Sequence, residues 1–262
     1  MKKIILATLS LSLILAAPVT ALAADTVSAG RTGDVREEDN SIQSASVSDS
    51  RWNMPGGARE ATEEIMRQAE ERLAEIDERE LYGEGLNEGI MPLNDWYSVF
   101  VPYYGQETEV SCGPACVRMV LECLTGNSYD EKTIRDNTNY SDEAGTYLYN
   151  LVPYLNQEQD KHEYLEFYRV SEEKMRDLLY SGLANFSKPA IIGIRPSASV
   201  AFPWNGSNGH FLVVDGCNAS KSVVSVLDPW AGYSNNDEYK WYDLEMGDLY
   251  DGYDAINCGL AR

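Results

Sequence analysis

The chain has 262 residues, of which 44% are hydrophobic and 24% are charged, and its formal net charge at pH 7 is −21. This length and composition allow one globular domain of ordinary size with further segments beside it. The strong negative charge argues against nucleic acid or an anionic membrane as the partner, because both repel an acidic protein.

The first 23 residues have the pattern of a secretory signal peptide. Lys2 and Lys3 are positive, residues 4–17 form a short apolar core, and residues 21–23 form a small-residue cleavage site. The apolar core is shorter than the roughly 18 to 20 residues that a membrane-spanning helix needs. We therefore expect a secreted, extracellular bacterial protein that has no stable membrane insertion after the signal peptide is cleaved.

Residues 24–57 are rich in Ser, Asp, Glu, Thr and Gly and poor in bulky apolar residues. Such a stretch buries too little apolar surface to offset the entropy lost on ordering, which predicts a disordered arm. Gly56 and Gly57, in the stretch MPGGARE, are interpreted as part of a linker, because glycine pairs are common in linkers.

Residues 58–90 are predicted to contain one amphipathic helix and a linker. Apolar residues recur at spacings of three and four from Ala61 to Ile76, and Gly83 follows as a helix end. Because a lone amphipathic helix needs a surface to pack on, we expect residues 58–80 to contact the domain that follows. Two hypotheses stay open for this region: a pro-region whose helix covers a cleft or assists folding, and a simple spacer.

Residues 91–262 are dense in Trp, Tyr, Val, Ile and Leu and predict one globular domain. Helical patterns precede strand patterns along this domain, which favours an α+β architecture over alternating βαβ units. The predicted helices cover residues 113–125, 131–137, 144–157 and 171–182, and the predicted strands cover residues 189–195, 210–216 and 222–228.

The stretch QETEVSCGPACVRMVLECLTG, residues 106–126, places Cys112 at the start of a predicted helix. Pro114 suits the first helical turn, because its missing N–H is not needed there. The partial positive charge at a helix N-terminus favours the thiolate, which is the nucleophilic form of cysteine. A nucleophilic cysteine also needs a base and a group that orients the base.

The chain contains two histidines. His162 lies in the charged stretch NQEQDKHEYLEF and is not expected to be catalytic. His210 opens the apolar strand HFLVVDG, and Asp228 ends the next predicted strand in VLDPW. Neighbouring antiparallel strands can place this carboxylate beside the imidazole, where it fixes the tautomer and stabilises the imidazolium. Cys112, His210 and Asp228 are therefore the candidate catalytic residues.

Gln106 lies six residues before Cys112. Its side-chain amide, together with the backbone N–H of Cys112, is suited to donate hydrogen bonds to an oxyanion that forms at an attacked carbonyl. A glutamine in a polar loop is ordinarily only solvated, so this role depends on the other three candidates being present.

Five stretches of the chain resemble family thirty-nine of the cysteine peptidases. This family contains bacteriocin-processing peptidases and their stand-alone secreted relatives within the papain superfamily, and the resemblance spans roughly residues 96–230. The five stretches are VPYYGQETEVSCGPACVRMVLECL, GTYLYNLVPYLN, KPAIIGIR, GHFLVVDG and VLDPW.

The resemblance implies a papain-like fold, with the nucleophile on a helix of one lobe and the histidine and aspartate on an antiparallel β-sheet of the other. By position it makes Cys112 the nucleophile, His210 the general base and then acid, Asp228 the group that orients His210, and Gln106 the oxyanion donor. It further implies a peptide or protein substrate and no metal or organic cofactor. Relatives favour cleavage after Gly-Gly, so self-cleavage after Gly57 is an alternative to the linker interpretation.

Five cysteines in an exported chain fit one free catalytic thiol and four others. Those four allow two disulfides in three connectivities. Core packing is an equally good interpretation of Cys116 and Cys123. We assign no pairing among Cys116, Cys123, Cys217 and Cys258.

Two other function classes stay open beside a cysteine peptidase. One is a catalytically silent peptidase-like module that binds peptides, although such a module needs none of the four candidate residues. The other is a different acyl-transfer enzyme with the same triad, such as a transglutaminase-like protein or a cell-wall amidase. The order and spacing of the candidate residues do not separate these enzymes from a peptidase.

Overall fold

A computed structural model of the protein describes residues 52–83 and 96–262. The predicted signal peptide and all but the last six residues of the predicted arm lie outside the described residues. No helix within the described ranges combines the length and the apolar character needed to cross a membrane.

Eight helices and eleven strands, many of them short, make up the described part of the chain. The helices are α1 (Glu63–Leu73), α2 (Glu78–Tyr82), α3 (Cys112–Thr125), α4 (Glu131–Asn137), α5 (Leu148–Glu158), α6 (Glu172–Phe186), α7 (Pro229–Tyr233) and α8 (Met246–Asp254). The strands are β1 (Trp52–Asn53), β2 (Ala58–Arg59), β3 (Trp96–Ser98), β4 (Thr146–Tyr147), β5 (Glu166–Phe167), β6 (Ala190–Ile194), β7 (Trp204–Asn205), β8 (His210–Asn218), β9 (Val223–Leu227), β10 (Trp241–Glu245) and β11 (Leu260–Ala261).

Seven strands form one antiparallel sheet, which is the centre of the fold. Its order is β10-β9-β8-β6-β11-β5, and β3 also pairs with β8. Successive side chains of a strand point to opposite faces, and in β8 both faces are buried. Phe211 and Val213 pack with α3 and α5 on one face, and Leu212 and Val214 pack with α6 and α8 on the other. The predicted α+β architecture is therefore confirmed.

The amphipathic segment before the domain forms two helices, where the sequence predicts one. Helix α1 begins after Thr62, whose hydroxyl accepts a hydrogen bond from the N–H of Ile65 at 3.4 Å. It ends at Leu73, and Asp77 then caps α2 by accepting from the N–H of Arg79 at 2.9 Å. An aspartate that satisfies free N–H groups starts a new helix, which the spacing of apolar residues alone does not reveal.

Helix α1 packs on the domain that follows. Met66 and Ala69 are buried in the same cluster as the side chains of α3 and α5. Outside this contact, the guanidinium of Arg169 donates to both carboxylate oxygens of Glu63, at 2.6 and 2.9 Å. The apolar face of the helix thus packs on the domain, and an ion pair connects the first turn of the helix to Arg169.

The stretch MPGGARE is packed within the domain and is not a linker. The N–H of Met54 donates to the carbonyl of Asn205 at 3.0 Å, and the N–H of Gly57 donates to the carbonyl of Gly209 at 2.8 Å. In return, the carbonyl of Gly57 accepts from the N–H of Thr146 at 2.9 Å. A glycine pair is compatible with a flexible linker and equally with a tightly packed segment. The sequence therefore does not distinguish the two.

Candidate active site

Cys112 is the first residue of α3. Its backbone N–H therefore has no acceptor within the helix and remains free to bind an anion. Pro114 lies in the first turn, as the sequence predicts, and the helix ends at Gly126 in the left-handed conformation, with φ of 73°. The Cys112 side chain is fully buried, and its Sγ accepts the N–H of Phe211 at 3.5 Å.

His210 and Asp228 meet at one end of the sheet. Strand β8 begins at His210, and the antiparallel strand β9 ends at Leu227, so their ends lie side by side. The Nε2 atom of His210 lies 2.7 Å from Oδ1 of Asp228. Cys112 lies near enough to His210 to help raise the pKa of the ring, and its Sγ accepts the N–H of Phe211, the residue after His210 in β8. The structure thus brings Cys112, His210 and Asp228 together in one buried chain of contacts.

Asp228 is held by hydrogen-bond donors on every side. Beyond the bond with His210, its Oδ1 accepts the backbone N–H of Trp230 at 2.9 Å. Its Oδ2 accepts the indole N–H of Trp204 at 2.6 Å and the hydroxyl of Tyr242 at 3.2 Å. These hydrogen bonds satisfy both oxygens of the buried carboxylate and fix its orientation toward His210.

The site favours a protonated His210. Burial disfavours the imidazolium, but the charge of Asp228 and its hydrogen bond, with further contributions from Cys112, outweigh that cost and raise the pKa of His210 to about 10. The ring is therefore poised to carry a proton at neutral pH, opposite the sulfur of Cys112.

All five cysteines are free thiols, so none of the disulfides that the sequence allows is present. Burial raises the pKa of Cys116 and of Cys258 well above the usual range, and it raises the pKa of Cys217 to about 12. These three side chains stay protonated and serve as apolar packing groups. Cys123 is half-buried, and burial raises its pKa as well.

Gln106 lies in the loop before α3 and is almost fully buried. Its Nε2 donates to the carbonyl of Thr108 at 2.7 Å, and its backbone N–H donates to the carbonyl of Pro229 at 3.0 Å. Its Oε1 is buried without a hydrogen-bond partner. An amide nitrogen carries two hydrogens, so one N–H remains after the bond to Thr108.

Glu131 is a fully buried residue that the sequence pattern does not single out. Its two carboxylate oxygens accept the N–H of Glu107 at 3.1 and 3.2 Å. Burial is the main reason that its pKa rises to about 7. Glu131 thereby holds the start of the loop between Gln106 and Cys112. In the sequence it is only an acidic residue in the first turn of a helix, a common surface feature.

The loop before Cys112 is hydrogen-bonded to Asp228 and to helix α7, which follows it. The hydroxyl of Tyr103 donates to the carbonyl of Asp228 at 3.0 Å and accepts the N–H of Gly232 at 2.7 Å. A Cβ atom on Gly105 would lie 2.8 Å from the Cα of Gly232, so the two backbones are in contact. We call this contact the Tyr103 staple.

His162 lies elsewhere, in the turn after α5. Its backbone N–H donates to Oε1 of Gln159 at 3.0 Å, and burial is the main reason that the pKa of its ring falls. Across residues 52–83 and 96–262, no group of three His, Cys, Asp or Glu side chains is arranged to hold a metal ion.

Comparisons with known proteins bear on the family and the fold. The model of the family described as "Peptidase_C39 like family" matches residues 99–259. No curated protein matches the chain.

Among solved structures, the chain is similar to xylellain, a cysteine protease from Xylella fastidiosa, with a TM-score of 0.51 and 11% identity over 80% of this chain and 96% of that chain. It is also similar to a double glycine motif protease from an AMS/PCAT transporter, in complex with its leader peptide, with a TM-score of 0.42 and 19% identity over 63% and 91% of the two chains. For the peptidase domain of Streptococcus ComA, the TM-score is 0.41 and the identity 15%, over 62% and 96%.

The family match covers more than half of the chain, and the likeness to xylellain independently shows the fold. The chain belongs to the Peptidase_C39-like family of cysteine-type peptidases and has an α+β papain-like fold.

Proposed function

We propose that the protein is a secreted cysteine peptidase that hydrolyses peptide bonds through Cys112, His210 and Asp228, with Gln106 as an oxyanion donor. One observation carries the proposal. His210 lies 2.7 Å from a buried carboxylate, and the next residue of its strand, Phe211, donates its N–H to the sulfur of a cysteine at the N-terminus of a helix. This arrangement supports a thiolate beside an imidazolium, which is the resting pair of a nucleophilic cysteine.

The reaction proceeds in two halves. The Cys112 thiolate attacks a peptide carbonyl, and the resulting oxyanion accepts hydrogen bonds from the Cys112 N–H and the Gln106 amide. Because Nε2 of His210 is bonded to Asp228, Nδ1 is the nitrogen that faces the reaction. The C–N bond breaks as Nδ1 gives its proton to the leaving amine, which leaves a thioester on Cys112.

Water completes the cycle. Neutral His210 takes a proton from a water molecule as the water oxygen attacks the thioester carbonyl. The second tetrahedral intermediate collapses with breakage of the C–S bond, which releases the carboxylic acid product and restores the thiolate and the imidazolium. Asp228 keeps the ring of His210 in place through its bond with Nε2.

A thiol-directed activity probe and a diverse peptide library test this proposal together. We expect labelling at Cys112 and cleavage of some peptides, with both lost in Cys112→Ala. Cys123→Ala is the matched control, because Cys123 is a half-buried free thiol outside the site, and it should retain both signals. Peptide cleavage that persists in folded Cys112→Ala would refute the assignment of the nucleophile.

The oxyanion role of Gln106 gives a separate prediction. Gln106→Ala is expected to lower kcat by about 10²- to 10³-fold with little change in KM, because the donor acts mainly in the transition state. Steady-state kinetics on the best library peptide measure this, and Gln68→Ala, on the exposed face of α1, is the control. A rise in KM at constant kcat would instead assign Gln106 to substrate binding.

Export is proposed from the signal peptide pattern of residues 1–23. Expression of the full chain in a bacterial secretion host should release protein into the medium with a new N-terminus near Ala24. N-terminal sequencing checks this. A protein that keeps Met1 and stays inside the cells would contradict secretion.

A further inference from the structure

A stretch of this same chain fills the groove between the loop that precedes Cys112 and the residue that precedes His210. Residues 54–60, here called the strap, connect β1 to α1. On the helical side of the groove, a Cβ atom on Gly57 would lie only 2.2 Å from the carbonyl oxygen of Val110, two residues before Cys112. Gly145, on the same side, would carry its Cβ 1.9 Å from the carbonyl oxygen of Gly57. The strap therefore lies backbone to backbone against this wall.

The sheet side of the groove also holds the strap. The N–H groups of Gly57 and Ala58 both donate to the carbonyl of Gly209, at 2.8 and 2.9 Å. Gly209 immediately precedes His210, so the strap is hydrogen-bonded next to the proposed base, and it is packed against Val110, two residues before the proposed nucleophile. Backbone groups on a groove wall are what an extended peptide uses when it binds by strand addition. The strap already uses them.

With the strap in place, the site is closed. The exposed fraction of Cys112 is 0% and that of His210 is 1%. Ala58 belongs to the same buried cluster as Cys112. A carbonyl carbon must come within about 3 to 3.5 Å of the sulfur before it can be attacked. A peptide from solution cannot reach that distance until the strap moves.

The strap itself is bound in a register that does not suit attack. The carbonyl oxygen of Gly57 accepts from the N–H of Thr146 at 2.9 Å, and that of Ala58 accepts from the thiol of Cys258 at 3.4 Å. A carbonyl about to be attacked points its oxygen instead at the oxyanion donors. The proposed donors are the Cys112 N–H and the Gln106 amide, and the Gln106 amide donates to another carbonyl. The two strap carbonyls at Gly57 and Ala58 are thus turned away from the proposed oxyanion donors.

Both ends of the strap are fastened to the domain. Upstream, Met54 bonds to β7 through its backbone N–H. Downstream, the N–H of Ala61 donates to the carbonyl of Asn257 at 2.7 Å, and helix α1 holds its place through the ion pair of Arg72 with Glu166. Helix α1 packs beside β5, so the strap, and not the helix, is the part of this region that lies in the groove. Such tethering gives the strap a high effective concentration at the site.

We infer that residues 54–60 are an autoinhibitory strap, which occupies the peptide-binding groove in a non-productive register and must be displaced before a substrate reaches Cys112. This inference rests on the peptidase function proposed above, since it assigns the regulation of that same site. Gly57 is the residue that makes the fit possible, because any side chain there collides with the backbone of Val110.

Gly57→Ala in the full chain tests the inference. We expect the rate of Cys112 labelling by a small thiol-directed probe, and the rate of peptide hydrolysis, to rise at least about 10-fold over the wild-type protein, because the fraction of open molecules rises. Gly247→Ala is the matched control: a Cβ at Gly247 meets only the end of the Glu172 side chain, at 3.9 Å. This variant should behave as wild type.

A synthetic peptide with the sequence of residues 52–60 provides a second measurement. Added to Gly57→Ala, it should slow labelling, whereas the same peptide with Ala in place of Gly57 should not. Equal labelling of wild type and a folded Gly57→Ala, with Cys112→Ala unlabelled, overturns the strap and leaves the peptidase intact. A new N-terminus at Ala58 in the wild-type protein also overturns it, because the strap would then be a substrate. No labelling of Cys112 in either protein removes the proposed function and the strap with it.

Discussion

His210→Gln is expected to lower kcat/KM for peptide hydrolysis by about 10⁴-fold or more, since the variant has neither the base nor the acid of the proposed reaction. Glutamine is preferred over alanine because His210 is almost fully buried, and an amide fills part of the space of the ring. Steady-state kinetics measure the loss, and circular dichroism with a thermal midpoint confirms that the variant is folded.

His162→Gln is the matched control for this experiment. His162 lies in the turn after α5, so its replacement should leave kcat/KM within about twofold of wild type. If His210→Gln retained more than a tenth of the wild-type activity while folded, His210 would not be the acid and base. An activity lost equally in both variants would point to a general effect on stability.

Asp228→Asn is expected to destabilise the protein by about 3 to 5 kcal/mol, the usual cost of removing one partner from a buried ion pair. The four groups around the carboxylate, which belong to Trp204, His210, Trp230 and Tyr242, all present donors to it. An asparagine amide must turn its own N–H groups toward at least one of them, which leaves buried donors facing each other. Urea unfolding measures the change, and Asp243→Asn, at an exposed position of β10, is the control.

The same variant has a pH signature. The folded-state pKa of His210, about 10, lies above the value of 6.5 for an unperturbed histidine. The stability that protonated His210 contributes is therefore fully present below pH 6.5 and is lost as pH rises through about 10. Activity that needs the imidazolium should fall over the same alkaline range. Without the charge of Asp228, this alkaline limb should move to lower pH, whereas an unchanged limb in a folded variant would contradict the role of Asp228.

The positions of Cys112, His210 and Asp228 could be predicted because each lies at the end of a helix or strand with a strong sequence pattern. A Gly-Pro pair after a cysteine marks a helix start, and an apolar run bounded by glycine or proline marks a strand. Once the three ends are predicted, chemistry suggests that they meet. The groups that support Asp228 could not be found in this way, because Trp204 and Tyr242 come from β7 and β10, for which the sequence gives no strand pattern.

Strand β11 shows why the short strands of the sheet cannot be predicted from the sequence. It contains only Leu260 and Ala261, yet it pairs with both β6 and β5 and so joins the main sheet to its last strand. Two apolar residues near a chain end carry no periodicity, and their pairing is a property of the whole sheet. The same limit applies to Gly57, whose neighbours Val110 and Gly209 lie far away in sequence.

The Tyr103 staple implies that the two halves of the site share one mechanical support. Tyr103 bonds to Asp228 and to Gly232 on the sheet side, while three residues further along the chain Gln106 bonds to Pro229. Tyr103→Phe should therefore shift the carboxylate of Asp228 and the proposed oxyanion donor Gln106 together, so the loss of activity in the double variant with Gln106→Ala should be smaller than the sum of the two single losses. A substitution that improves the proposed oxyanion donor would then also displace the proposed acid-base pair, so the two parts of the site would have to be engineered together.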